Sequence, residues 1–180
     1  EKKNIKLLKL LIVARFSKEK GYECLFKALK KLKIPYSITC IGKGCSYKNI
    51  DFKKLCKSYK IYPKVKENSS NIKNEYKKYD FLLITSFSEA FPNVLVESIL
   101  AGTPVISTPS GPFNQLLSKY GLLSKSFKSE DFLLVLNKAN KIKSDFAKYN
   151  FIREELIKNI KKNINNPKQS AYEYLELFLN

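Results

Sequence analysis

Histidine is absent from the 180 residues. Its absence excludes a Ser–His or Cys–His catalytic pair within the chain and removes the commonest zinc ligand. Chemistry here must run on Arg, Lys, Asp, Glu, hydroxyls and backbone amides. Arginine is nearly absent too: Arg15 and Arg153 are the only two among 34 basic residues. No apolar run approaches the ~18 residues that a membrane-spanning helix needs; runs such as those at 10–14 and 81–84 are strand-sized. The four cysteines, Cys24, Cys40, Cys45 and Cys56, form no Cys-x-x-Cys pair. A chain of this length needs no disulfides to fold, so they read as free thiols in a reducing compartment, filling space as small apolar groups. The first residues carry no secretory signal, which gives the expectation of a cytoplasmic chain or of one that starts at a domain boundary. There is no internal repeat and no low-complexity linker, and the length suits one domain.

The net charge is +18. Three readings are open: a solvated surface, attraction to an anionic membrane, or nucleic-acid binding. The lysines are scattered, and nucleic-acid readers exploit the planar arginine fork that this chain hardly uses. Charge alone would support a non-enzymatic basic module for nucleic acid or anionic membrane.

Strand-like and helix-like segments alternate from the start. Residues 7–14 read as a strand buried on both faces, and 21–33 as an amphipathic helix with Tyr22, Leu25, Phe26, Leu29 and Leu32 on one face. Further strands are expected at 36–41, 61–65, 81–85 and 105–107, with a sixth at 121–123. Helices are expected at 52–59, 72–78, 92–101, 129–143, 151–164 and 171–179, with Ser129 as an N-cap and Pro92 at a first helical position. The polar stretch 66–74 is a loop candidate. Repeated alternation with short connections predicts one doubly wound α/β domain, a Rossmann-like parallel sheet with helices on both faces.

In such sheets a ligand sits beyond the carboxyl ends of the strands. There the sequence places Arg15, Ser17 and Lys20 after the first strand, Gly42-Lys43-Gly44 after the second, and Ser86, Ser88 and Glu89 after the fourth. A helix then opens at Pro92-Asn93-Val94, whose free amides and dipole favour an anion. Arg15 and Lys20 suit a diphosphate. Gly42 would let backbone approach a ligand, although Tyr47 stands where a dinucleotide fingerprint needs its third glycine, and an ordinary turn explains the glycines equally well. Glu89 and Glu97 could address opposite ends of one ligand, an ionised carboxylate being suited to paired ribose hydroxyls.

At these residues a resemblance emerges. Ser86-Phe87-Ser88-Glu89-Ala90-Phe91-Pro92-Asn93-Val94-Leu95-Val96-Glu97, continuing to Ile106, resembles the E-x7-E signature of glycosyltransferase family 4 (group 1). Val13-Ala14-Arg15-Phe16-Ser17-Lys18-Glu19-Lys20-Gly21 resembles its phosphate-binding stretch, and Ser107-Thr108-Pro109-Ser110-Gly111-Pro112 the loop that follows. Ala90 stands where the family usually has Gly, and Phe113-Asn114-Gln115 where Arg-Glu is frequent.

The resemblance implies the C-terminal, donor-binding half of a GT-B glycosyltransferase. That domain would take up residues 1–180, with a core at 7–165 and a crossover-type helix at 168–180, and would lack the acceptor domain. It implies catalytic roles for Arg15, Lys20 and Glu89. Arg15 and Lys20 would grip the diphosphate, Glu89 would contact the donor sugar, and Phe91, Pro92, Asn93 and Val94 would hold the sugar and distal phosphate. Glu97 would bind the ribose, and Gly42 would lie along the nucleotide. The implied reaction is retaining transfer of a sugar from a nucleoside diphosphate sugar, UDP-linked for preference, to a glycan or lipid-linked acceptor in bacterial surface polysaccharide synthesis. No cofactor or metal is expected, in keeping with the lack of an Asp-x-Asp motif. Nucleic acid is not an expected partner; peripheral contact with the inner face of the cytoplasmic membrane is.

Overall fold

The computed structural model describes residues 7–90 and 92–164. Its centre is a five-stranded sheet in the order β3-β2-β1-β4-β5. The strands are β1 (Leu8–Val13), β2 (Tyr36–Ile41), β3 (Lys64–Lys66), β4 (Phe81–Ile84) and β5 (Val105–Ser107). Every pairing is parallel. The apolar runs of β1 and β4 follow from this arrangement, because a parallel sheet is covered on both faces. Leu10, Leu11, Phe81 and Leu82 are fully buried, and Leu10 lies in register with Phe81.

The helices are α1 (Tyr22–Lys31), α2 (Ile50–Tyr59), α3 (Ile72–Tyr76), α4 (Asn93–Leu100), α5 (Asn114–Lys119), α6 (Ser129–Ser144) and α7 (Phe146–Ile164), with a 3-10 helix at Lys18–Lys20. α1 buries Tyr22, Leu25, Phe26 and Leu29, the face that the helical period marks. It packs against α2 and α6, while α4 packs against α3 and α7. Right-handed crossovers to either side of β1 put these two groups on opposite faces. The strand order reverses between β1 and β4, a switch point where the flanking loops diverge and leave a crevice.

The structure corrects several boundaries. The third strand is Lys64–Lys66 rather than 61–65. Lys60 turns left-handed at φ 56° to end α2, and the Ile61 amide donates back to the Cys56 carbonyl at 3.0 Å, so Ile61 closes a helix instead of pairing. The expected sixth strand is one bridge, Ser107 to Leu123. Ser129 is not an N-cap. It is the first residue of α6, capped by Lys128, and its hydroxyl donates to Glu130. Pro92 likewise caps α4 from outside, and Asn93 is the first helical residue. α7 begins five residues earlier than expected, where the Asp145 carboxylate accepts from the Lys148 amide at 3.0 Å. α5 was not expected at all. The predicted helix at 171–179 lies outside the described residues.

The amino edge of the sheet is fastened by Asp80. Its carboxylate accepts from the Lys9 amide at 2.8 Å and pairs with Lys143 of α6 at 2.7 Å. Its carbonyl accepts from the Tyr149 hydroxyl of α7 at 2.7 Å. Arg153 of α7 donates to the Gly102 carbonyl at 2.6 Å. Replacing the Asp80 carboxylate leaves the Lys9 amide without this acceptor and frees an ammonium. Asp80→Ala is therefore expected to cost about 2–3 kcal/mol, the scale of a hydrogen bond to a charged group. Urea denaturation should show a lower midpoint with an unchanged slope.

Candidate functional site

The chain leaves β1 through Ala14 and Arg15, enters the 3-10 helix, and turns at Gly21 with φ 65°. Only glycine fits there: a Cβ would lie 1.9 Å from the Thr85 carbonyl oxygen at the end of β4. That close approach is stitched by two further bonds. The Thr85 hydroxyl donates to the Lys20 carbonyl at 2.8 Å, and the Phe87 amide donates to the Glu19 carbonyl at 3.0 Å.

The stitching brings together Lys20 and Glu89, which are 69 residues apart. Their side chains meet at 2.6 Å and are 21% and 15% exposed. The same Glu89 oxygen accepts from the Ser86 hydroxyl at 2.5 Å, and the Glu89 amide donates to the Ser110 carbonyl at 2.6 Å. Glu89 is thus fixed from both its side chain and its backbone.

Two clefts open beside this pair at the carboxyl edge. The first, about 190 Å³, is lined by Lys20, Ser86, Glu89, Pro92, Asn93 and Val94. The Asn93 and Val94 amides open α4 at its positive end, and the Leu95 amide donates to the Pro92 carbonyl at 2.9 Å. The second, about 270 Å³, is lined by Arg15, Gly42, Glu67, Asn68, Ser69 and Ile72. Val13 and Ala14 line both, so the end of β1 forms the ridge between them. At Gly42, where φ is 150°, a Cβ would lie 2.2 Å from the Ala14 carbonyl oxygen. Close packing of β1 against β2 therefore explains this glycine, whatever else the cleft holds.

The remaining candidates are distributed differently. Arg15 is exposed and pairs with Glu19, four residues on, and the guanidinium holds the Glu19 carboxyl below its usual range. Glu97 lines neither cleft. It lies one turn beyond Asn93 and Val94 on α4, and its Oε2 accepts from the Tyr76 hydroxyl at 2.9 Å. Phe91 lies outside the described residues. The four cysteines are free and buried, and burial pushes the Cys24 and Cys56 thiols up to about 11. They are packing groups.

Sequence reasoning missed Thr85, Glu19 and Tyr76. Tyr76 sits in a short, lysine-rich turn of helix with no periodic signal long enough to show which face is inward. Asn68 and Ser69 fell inside the expected loop at 66–74, but their approach to the carboxyl edge could not be seen without the position of β3.

A partly buried cation, two carboxylates, a hydroxyl and a helix N-terminus around one edge of a Rossmann-like sheet can take an anion together with hydroxyl groups. The class is that of Rossmann-like α/β domains built on an all-parallel sheet. More particularly, the chain belongs to the family described as glycosyl transferases group 1, whose profile matches residues 1–168. It is 28% identical over 140 residues to a D-inositol 3-phosphate glycosyltransferase of Arthrobacter sp. (strain FB24), covering 71% of this chain and 33% of that protein. Its fold is similar to a glycosyltransferase from Rickettsia africae, with TM-score 0.77, 22% identity, and coverage of 97% of this chain and 49% of that one. It is similar also to Anabaena HepE in complex with UDP and glucose, with TM-score 0.74, 21% identity, and coverage of 94% and 48%. The chain therefore spans about a third of the curated relative and about half of each solved one.

The Lys20–Glu89 contact makes a direct prediction. Lys20→Met and Glu89→Gln should each destabilise the fold, but together by less than the sum of the two. A double-mutant cycle in urea should give a coupling of about 1–2 kcal/mol. Strict additivity would mean the two side chains do not interact in solution.

Proposed function

We propose that the chain is the donor-binding half of a retaining glycosyltransferase of the family 4 type. The observation that carries this reading is the convergence of Lys20, Ser86, Glu89 and the start of α4 on one cleft. A sugar diphosphate needs fixed cations, amide donors and a carboxylate for its hydroxyls, and these residues supply them.

On this reading the distal phosphate and sugar occupy the first cleft, against Lys20, Glu89 and residues 92–94. The nucleoside occupies the second, along Gly42, with its ribose reaching toward Glu97. Arg15 exchanges its Glu19 partner for the diphosphate. As the bond to the anomeric carbon breaks, negative charge grows on the leaving diphosphate. Arg15, Lys20 and the helix terminus offset it electrostatically, and each such preorganised donor supplies roughly 3–4 kcal/mol in the transition state. The acceptor hydroxyl attacks from the face that the diphosphate leaves, which retains the configuration, and its proton passes to the departing phosphate while Glu89 holds the sugar hydroxyls. This account needs no metal ion.

UDP-sugars are the favoured donors, and HepE, bound to UDP and glucose, supports that choice by analogy of fold. The acceptor is a glycan or lipid-linked sugar of a bacterial surface polysaccharide, bound by an N-terminal domain that this chain does not include. The charge of +18 would keep the enzyme near the anionic inner face of the cytoplasmic membrane. Among the described residues no helix is long and apolar enough to cross one.

Calorimetric and thermal-shift titration with UDP, GDP, ADP and dTDP tests the reading, since a ligand that binds the folded state alone raises apparent stability. UDP is expected to give the largest shift. Glu97→Gln should weaken its binding by about 1.5–3 kcal/mol, as expected for a charge-assisted hydrogen bond. Absence of binding by any of these nucleotides to the folded chain would refute the proposal.

A further inference from the structure

The Glu97 carboxylate projects from the second turn of α4 and is exposed. Left free, it would sample several rotamers, and each binding event would have to order it. The structure does not leave it free. The Tyr76 hydroxyl donates to its Oε2 at 2.9 Å.

The donor is itself rigidly held. Tyr76 is fully buried at the end of α3. Its carbonyl accepts from the Thr103 hydroxyl at 2.8 Å, and the Thr103 carbonyl accepts from the Ser98 hydroxyl at 2.8 Å. Ser98 follows Glu97 directly on α4. The circuit Tyr76–Thr103–Ser98 therefore ties α3 to the helix that carries Glu97. Burial, and then the bond to Glu97 itself, hold the Tyr76 hydroxyl far above its ordinary titration range, so it remains a donor at every physiological pH.

Its position along the helices is informative. Tyr76 lies one turn beyond Ile72, which lines the second cleft, and Glu97 one turn beyond Asn93, which lines the first. The hydrogen bond thus spans the two helices that border the clefts.

We infer that Tyr76 is a positioning residue that pins one oxygen of Glu97 and leaves the other aimed at the ribose hydroxyls of the nucleotide. A carboxylate has about four acceptor positions, so the tyrosine takes one without exhausting it. The inference rests on the proposed ribose role of Glu97 and adds a residue that acts through it.

The test is calorimetry on the full chain with UDP and 2′-deoxy-UDP, using the wild type, Tyr76→Phe, Glu97→Ala and the double variant. The ratio of the two affinities reads the ribose contact and is insensitive to general loosening of the fold. The wild type should prefer UDP, and Glu97→Ala should abolish the preference. Tyr76→Phe should reduce it about 3- to 10-fold, the scale of one net hydrogen bond. In the Glu97→Ala background it should change the ratio no further.

A preference that survives Tyr76→Phe but not Glu97→Ala would overturn the inference and leave the ribose site standing. A preference indifferent to Glu97→Ala, or no UDP binding by the wild type, would overturn both. Equal losses from Tyr76→Phe with and without Glu97 would assign the tyrosine a structural role only. Should Tyr76→Phe not fold, Thr103→Val, which frees the Tyr76 carbonyl and loosens the circuit, should reduce the same ratio; an unchanged ratio would again overturn the inference.

Discussion

The carboxyl edge of this domain depends on the packing of a left-handed glycine against a strand end. Gly21 sits where any side chain would penetrate the Thr85 carbonyl. Because it has none, the Lys18–Lys20 turn lies flat against the end of β4, and the Thr85 hydroxyl and Phe87 amide lock it there. The Lys20–Glu89 pair follows from that contact. A bulkier residue at position 21 would hold the turn away from β4, and the cation and carboxylate would lose their shared cleft. α1 also begins at this point, so the residue that allows the contact also sets the start of the helix covering β1 and β2.

The opposite edge is fastened by side chains. Asp80, Lys143, Tyr149 and Arg153 fasten α6 and α7 across the amino ends of the strands, where the Asp80 and Gly102 carbonyls accept from Tyr149 and Arg153 and the Asp80 carboxylate pairs with Lys143. These polar groups are bonded within the edge itself. Those at the carboxyl edge surround clefts. A doubly wound sheet can thus be fastened at one end and open at the other.

Much of this could be read from the amino-acid sequence, for identifiable reasons. β1, β2, β4 and β5 fall within a residue or so of their expected bounds; β1 and β4 do so because strands buried on both faces are written as nearly continuous apolar runs, whereas β2 carries Ser37 and Thr39 and is marked by the Gly42 that ends it. The α1 face was legible because its apolar residues keep helical spacing. β3 was misplaced because Lys64–Lys66 alternates charge around a half-buried valine at the sheet margin, while the more apolar Ile61 serves as a helix stop. α5 was missed because Asn114–Lys119 is short and follows a turn-rich loop. At the site, Lys20 and Glu89 were expected to share a ligand, and the fold brings them into contact. Glu97 was paired with Glu89 by spacing, yet it lines neither cleft and one of its oxygens accepts from the Tyr76 hydroxyl. Its partner is set by how α3 docks on α4, a tertiary fact with no local signature.

The central claim is that a nucleoside diphosphate sits on the carboxyl edge, across the ridge at Val13 and Ala14. Backbone amide chemical shifts during a titration with UDP test it most directly. The account predicts that the perturbed amides cluster at residues 14–21, 42–44, 67–72 and 86–97, while those around Asp80, Gly102 and Arg153 stay fixed. Perturbations centred on that amino-edge group, or spread evenly over the lysine-rich surface, would contradict it.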